Sequence, residues 1–398
     1  MLILSLKCTN LFMFDNFNID FTYEKKLNHF LSRDDALFPD SKIYVRKNMI
    51  ILGGNASGKT TFGRLLCAIN NYMIGRELNN KLSLYKAIYN KNKSSSFEIE
   101  FVIGDMAYYI FCEFDIHGIK YEYIKKHKVY KSYNISKLRE EIKKSEEIIP
   151  YKREKSIENE NNDIEYKPFC SKMLKDPKHE EEVNKLREGM GFHYWFSSFT
   201  EQSEYSKIKI SVEMINKILP KIDNSIEKVV ALTGKNDDIE TSSYVIVFKN
   251  KEQTTIPDGD LSRVQSDRLS HGTYEVLSFL NMIEEIRKRD GSIIFIDEKM
   301  AHLHAELEAY LIMKAFLINT DNQIFITSHN SELLELNIPN NSFVLFKRCL
   351  NGYNSSLFVS DKLNKNDRNI RNYYENDYFG VLPDYSMLDD YFEEWDND

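Results

Sequence analysis

Hydrophobic and polar positions change period several times along the chain, and each change marks an element. Residues 2–6 are an apolar run that reads as an opening strand, 17–21 as its partner, and 49–52 as a short buried strand. Residues 97–101, 107–115 and 119–124 alternate apolar with polar at period two, and Gly104-Asp105 and His117-Gly118 supply the turns of an antiparallel meander. Between 134 and 189 Lys, Glu and Asn dominate. Ile135, Leu138 and Ile142 keep helical spacing there, as do Val183 and Leu186 within 180–188, on either side of a polar middle at 152–166. Neither piece reaches the three or four heptads of a coiled coil, so the stretch reads as a charged helical insert that folds on a partner.

Tyr194-Trp195-Phe196 and Phe199 mark the return to a packed body. Helix 212–226, strand 244–248, helix 274–288, strand 292–296, helix 305–317, strand 323–327 and strand 343–346 then follow. Such alternation predicts an α/β fold in which a mixed, partly parallel sheet stands beside an antiparallel lobe. The expected divisions are an N-terminal lobe at 1–133, the insert at 134–190, a C-terminal lobe at 191–385 and an acidic, aromatic tail at 386–398. In that tail Tyr391, Phe392 and Trp395 either anchor a partner or pack on the body.

Composition narrows the function classes. The 53 Lys and Arg against 61 Asp and Glu leave a net charge of −8 over 398 residues, so no overall field draws the chain to nucleic acid or anionic lipid. A local patch could still do so. The stretch 120–131, from Lys120 to Lys131, is basic with Tyr121, Tyr123 and Tyr130 interleaved, and reads either as a DNA-binding surface or as a strand with lysines on its solvent face. Cys8, Cys67, Cys112, Cys170 and Cys349 are odd in number and lack C-x-x-C spacing, which speaks against a disulfide framework or a zinc site and for a reducing cytoplasm. No apolar run approaches the ~18 residues of a membrane helix, so no membrane partner is expected.

The candidate chemistry begins directly after strand 49–52. Gly53-Gly54-Asn55-Ala56-Ser57-Gly58-Lys59-Thr60 matches G-x-x-x-x-G-K-[ST], and a helical pattern starts at Thr61. Glycines let successive N–H groups converge on phosphate at a helix N-terminus, while Lys59 reaches the β and γ phosphates and the Thr60 hydroxyl ligates Mg²⁺. Gly53, Asn55, Ala56, Ser57, Gly58, Lys59, Thr60 and Thr61 are thus the expected nucleotide-binding residues. Strand 292–296 ends in Asp297-Glu298 at the sheet edge where open α/β folds bind ligands. Asp297 would hold Mg²⁺, and Glu298 would orient and deprotonate the attacking water. A second buried strand ends in Thr327-Ser328-His329, so that His329 either senses a γ-phosphate or is satisfied by backbone. Ser270-His271-Gly272-Thr273 opens an amphipathic helix and reads as a second anion site or as a simple cap.

Taken in order, GGNASGKTT, LSHGT, IIFIDE and ITSHN resemble the phosphate loop, signature, catalytic strand and His switch of an ABC-type P-loop NTPase head of the SMC, RecF and OLD-like group. Leu303-His304 with Leu307, and the closing run at 373–383, are similar to segments of small stand-alone AAA-family ATPases of bacterial phage-defence systems. Several positions depart from the pattern. Thr273 stands where transporter subunits carry Gln, Ala305 replaces the usual proline, Met300 and His302 fill acidic and glycine positions in the loop that meets the dimer mate, and Gln202 is the best Q-loop candidate. The resemblance implies a head-to-head dimer or higher oligomer, with Ser270 and Gly272 of one copy clamping the ATP held by Lys59 of the other. It further implies an ATPase that acts as sensor or scaffold for a separate effector, most simply a nuclease, since too few residues follow His329 for the toprim domain of OLD-like enzymes. A RecF-like, DNA-binding role in repair or chromosome maintenance is the alternative.

Overall fold

The structure, a computed structural model, describes residues 1–32, 35–74, 83–153, 180–196, 208–236, 239–264, 268–288, 291–300, 302–363 and 370–382. Gln202, Phe199, Pro383, the tail at 386–398 and most of the polar middle of the insert lie outside them. Strands β1 (Leu2–Thr9), β2 (Phe17–Asp20), β3 (Thr22–Tyr23), β4 (Tyr44–Val45) and β5 (Asn48–Leu52) come first, followed by α1 (Lys59–Met73) and α2 (Leu84–Ala87). The meander β6 (Ser95–Ile103), β7 (Met106–Asp115) and β8 (Gly118–Lys128) leads through α3 (Ile135–Lys144) to β9 (Ile148–Lys152), α4 (Glu180–Gly189) and β10 (Gly191–Phe196). Next come α5 (Val212–Ile222), β11 (Ile226–Asn236), β12 (Ile239–Phe248), β13 (Gln253–Ile256), α6 (His271–Lys288), β14 (Ser292–Asp297), α7 (Ala305–Ile318) and β15 (Gln323–Thr327). The described chain closes with β16 (Phe343–Arg348), β17 (Asn354–Phe358), α8 (Val359–Lys362) and α9 (Ile370–Glu375).

Two sheets dominate the described residues. One is antiparallel in the order β2-β1-β6-β7-β8-β9; the other runs β10-β14-β15-β5-β16-β17 and is parallel except for its last pair. Side chains alternate across each central strand, and the two faces feed different cores. Met49, Ile51, Phe295 and Phe325 pack with α1 and the antiparallel sheet, while Ile50, Leu52, Ile296 and Ile326 pack with α6 and α7. Phe62, one turn into α1, is completely buried among Phe14, Phe17, Phe295, Phe325 and Phe346 and so clamps the start of that helix between the sheets. A small third sheet, β11-β12-β13, forms its own core with α5 and Leu277 of α6.

The mixed parallel sheet with an antiparallel lobe is therefore as expected, with differences of detail. Helix 212–226 ends at Ile222, because Asp223 folds back to accept hydrogen bonds from the Ser225 amide and hydroxyl, and Ile226 already begins β11. That strand was not expected, and β12 starts well before residue 244; the alternation of this hairpin is blurred by exposed Val230 and Leu232. The charged stretch 134–190 is anchored at both ends. Ile135, Leu138, Ile142, Val183 and Leu186 are buried in the first core, and β9, also unexpected, pairs with β8.

Candidate functional site

Parallel pairing of β14 with β15 and of β15 with β5 brings three strand ends to one edge, in a register that sets Asp297 beside Thr327 and Thr327 beside Ile51. The loop from β5 to α1 closes over that edge. Gly53 and Gly58 have φ of 152° and 102°, and a Cβ on Gly53 would run into the backbone carbonyl oxygen of Phe346, so handedness favours glycine at both positions and close approach demands it at Gly53. Gly58 caps α1 and hands Lys59 and Thr60 to its first turn.

Lys59 is nearly buried and points back into the loop, its Nζ donating to the carbonyls of Gly53 at 2.9 Å and Gly54 at 3.2 Å. The same nitrogen is 3.7 Å from Glu298 Oε1 and 3.4 Å from His329 Nδ1. Burial pulls the ammonium below its ordinary pKa, while Glu298 and Asp297 oppose that shift. His329 Nε2 lies 2.7 Å from Glu298 Oε1. The hydrogen bond from His329 holds the Glu298 carboxyl below the usual carboxylate range, so this group is ionised at neutral pH. Glu298 itself sits at φ 50°, a conformation uncommon for a residue with a side chain, and its amide donates to Thr327 Oγ1 at 3.0 Å.

Asp297 is buried to 2% exposure, and burial raises its pKa. Its Oδ1 accepts from Thr60 Oγ1 at 3.0 Å and Thr327 Oγ1 at 2.7 Å, and its Oδ2 accepts from the Tyr194 hydroxyl at 3.2 Å. Thr60 and Asp297 thus present two hard oxygen donors side by side, the kind of pair that holds Mg²⁺ when phosphate and water complete the shell. Ser57 Oγ, in the loop, is buried and has no hydrogen-bond partner, an unspent donor where a phosphate oxygen would need one. Both features fit a bound magnesium nucleotide.

Lys59, Thr60, Asp297, Glu298 and His329 are accordingly brought together, with Gly53, Asn55, Ala56, Ser57, Gly58 and Thr61 in the loop and helix start beside them. Ser270 and Gly272 are placed elsewhere, at the opening of α6. Ser270 Oγ caps the helix, accepting from the Thr273 amide at 3.1 Å, and the Thr273 hydroxyl reaches Asp223 at 3.3 Å. In the loop after Glu298, His302 is tied to Glu275 one turn into α6, through its amide at 3.1 Å and Nδ1 at 2.7 Å. Tyr194 had shown only as part of a hydrophobic run, and nothing local marks its hydroxyl as facing Asp297. At least three of the five lysines of 120–131 meet acids: Lys120 faces Glu113 and Asp115, Lys128 faces Asp105 at 3.1 Å and Lys131 faces Asp40 at 3.3 Å, which favours the solvent-face reading of that stretch.

No curated protein matches this sequence. Solved structures similar to it include an SMC head bound to the C-terminal winged-helix domain of ScpA, at 11% identity and a TM-score of 0.44, covering 91% of this chain and 100% of that one. The SMC head domain from Thermotoga maritima is similar at 11% identity and a TM-score of 0.42, with 90% of this chain and 99% of that one covered. A structure of the recombination mediator RecF with ATP, at 13% identity and a TM-score of 0.40, covers 89% and 97% respectively. Residues 49–335, well over half of the chain, match the family described as "AAA domain, putative AbiEii toxin, Type IV TA system", and the protein belongs to that family.

Proposed function

We propose that the chain binds ATP with Mg²⁺, hydrolyses it, and uses the cycle to control a separate effector in bacterial antiviral defence. The observation that carries the catalytic part is the single cluster in which Glu298 Oε1 lies 3.7 Å from Lys59 and 2.7 Å from His329, directly beside the Thr60 and Asp297 pair. Lys59, now occupied by loop carbonyls and Glu298, exchanges those partners for the β and γ phosphate oxygens. Glu298, ionised at neutral pH, accepts a proton from the attacking water; His329 orients that carboxylate and donates toward the terminal phosphate. Thr60 and Asp297 would hold Mg²⁺, which would neutralise phosphate charge. Tyr194 and Thr327 keep the Asp297 carboxylate turned to that position.

The opening of α6 is a second anion-binding end, and Ser270 and Gly272 would serve the nucleotide of another copy in a head-to-head dimer. The family description, naming a putative toxin of a toxin–antitoxin system, supports a setting with a second gene product, and a separate nuclease is the effector we propose. The test is phosphate release and calorimetric ATP binding by the purified chain. Wild type should bind and hydrolyse, Lys59→Ala should do neither, and in cells Lys59→Ala should abolish phage protection by the native operon. A wild-type chain that binds no ATP in the presence of Mg²⁺ would end this reading.

A further inference from the structure

A buried carboxylate beside the cluster, Glu308, has no task in that reading. Glu308 lies in the first turn of α7, nearly buried, and among the described contacts it does not touch the phosphate loop or the acidic pair. An ionised side chain in such a place is costly unless its oxygens are satisfied. Both are: Oε1 accepts from Ser328 Oγ at 2.8 Å and Oε2 accepts from Asn330 Nδ2 at 3.0 Å. The two residues it grips flank His329.

The surroundings make that grip directional. The Ser328 amide donates to Ile51 at 3.1 Å, continuing the pairing of β15 with β5, and the Asn330 amide donates to Ser328 Oγ at 3.0 Å. Asn330 also caps the 3₁₀ turn that follows, its own backbone extended at φ −77° and ψ 107°. In an extended segment successive side chains point to opposite sides. With Ser328 and Asn330 both turned to α7, the side chain between them is turned the other way, where its ring meets Glu298 and Lys59. A glutamate in the first turn of a helix also suits the helix dipole, but Glu306 in the same turn fills that role equally, and the role needs neither oxygen to reach the switch.

We propose that Glu308 is the positioning residue of the His329 switch, holding Ser328 and Asn330 against α7 so that the imidazole is presented to Glu298 and to the terminal phosphate. This rests on the catalytic reading given above. Glu308 acts through His329 and makes no contact with nucleotide, so its removal should lower kcat about 10-fold or more, the scale on which a small misplacement of a reacting group is felt. The KM and the calorimetric affinity for ATP should stay within about two-fold.

The experiment compares Glu308→Ala, Ser328→Ala, His329→Ala and the Glu308→Ala/His329→Ala pair by phosphate release, with Glu308→Gln as a partial rescue because its amide oxygen can still accept from one partner. Groups that act as one unit are not additive, so the pair should be no slower than His329→Ala alone. Ser328→Ala cuts the clamp from the switch side, and keeps the test open if Glu308→Ala folds poorly. Nitrogen spectra of histidine-labelled protein without nucleotide add a readout independent of turnover: the His329 imidazole signals, assigned with His329→Ala, should move in Glu308→Ala and in Ser328→Ala. A wild-type rate in His329→Ala would remove the switch and the clamp together. Slow His329→Ala beside wild-type rates and unmoved His329 signals in Glu308→Ala and Ser328→Ala, or losses that add in the pair, would overturn the clamp alone.

Discussion

Glu298→Gln removes one charge from the site and little else. The amide oxygen can still accept the hydrogen bond that His329 Nε2 makes at 2.7 Å, so the switch stays seated. Turnover should fall by roughly 10²-fold or more, because general-base catalysis contributes about 10²–10⁴. Affinity should move the other way. Lys59 Nζ is 3.7 Å from the carboxylate, a gross attraction of about 4 kcal/mol at an effective dielectric of about 20. The carboxylate side chain is 29% exposed, and solvent screening cuts the net interaction to about 1 kcal/mol. With that competitor gone the ammonium is free for phosphate, and ATP should bind about five-fold more tightly. Calorimetric titration with ATP and Mg²⁺ reads the affinity, and phosphate release at saturating ATP reads the rate. Hydrolysis at the wild-type rate would remove Glu298 from the base role, and weaker ATP binding would refute the charge argument.

Three further outcomes are expected. Tyr194→Phe deletes the hydroxyl that donates to Asp297 and should raise the Mg²⁺ concentration for half-maximal hydrolysis about 10-fold, since the partners of metal ligands tune affinity on that scale; an unchanged Mg²⁺ titration would contradict it. Ser270→Arg should abolish any ATP-dependent gain in mass by light scattering while leaving ATP affinity intact, and a gain that persists would argue against a role for the α6 opening between copies. Asp35 is pushed up to about 6 by burial, against the hydrogen bond from Tyr23. The folded state holds that proton more tightly than the unfolded one, so the stabilisation is complete below the ordinary value of 3.8 and is lost as pH rises through about 6. Asp35→Asn should therefore unfold at higher urea than wild type near pH ~7, by about 3 kcal/mol at most, and show little difference near pH ~4; a difference constant with pH would rule the assignment out.

What the sequence determined by itself is what lies within a few neighbouring residues. The apolar strand, glycine loop and helix start around Lys59 are contiguous, and so are the strands that end in Asp297-Glu298 and Thr327-Ser328-His329, so these elements were legible from period and spacing. The meander was legible for the same reason, its alternation being strict and its turns glycine-bearing. Where local preference was ambiguous the reading slipped: at the turn at Asp223 that ends α5, at the half-exposed hairpin of β11 and β12, and at the short edge strand β9, which pairs with β8 across the α3 segment. Tertiary structure alone decided which groups meet. Parallel pairing carries Thr60 to Asp297 and Lys59 to Glu298 and His329 across more than two hundred residues of chain. It also turns Tyr194 toward Asp297, fastens both ends of the charged insert into the first core, and seats Glu308 against Ser328 and Asn330. These contacts are set by strand register and helix packing, and no periodicity within a single segment encodes which distant segment will lie beside it.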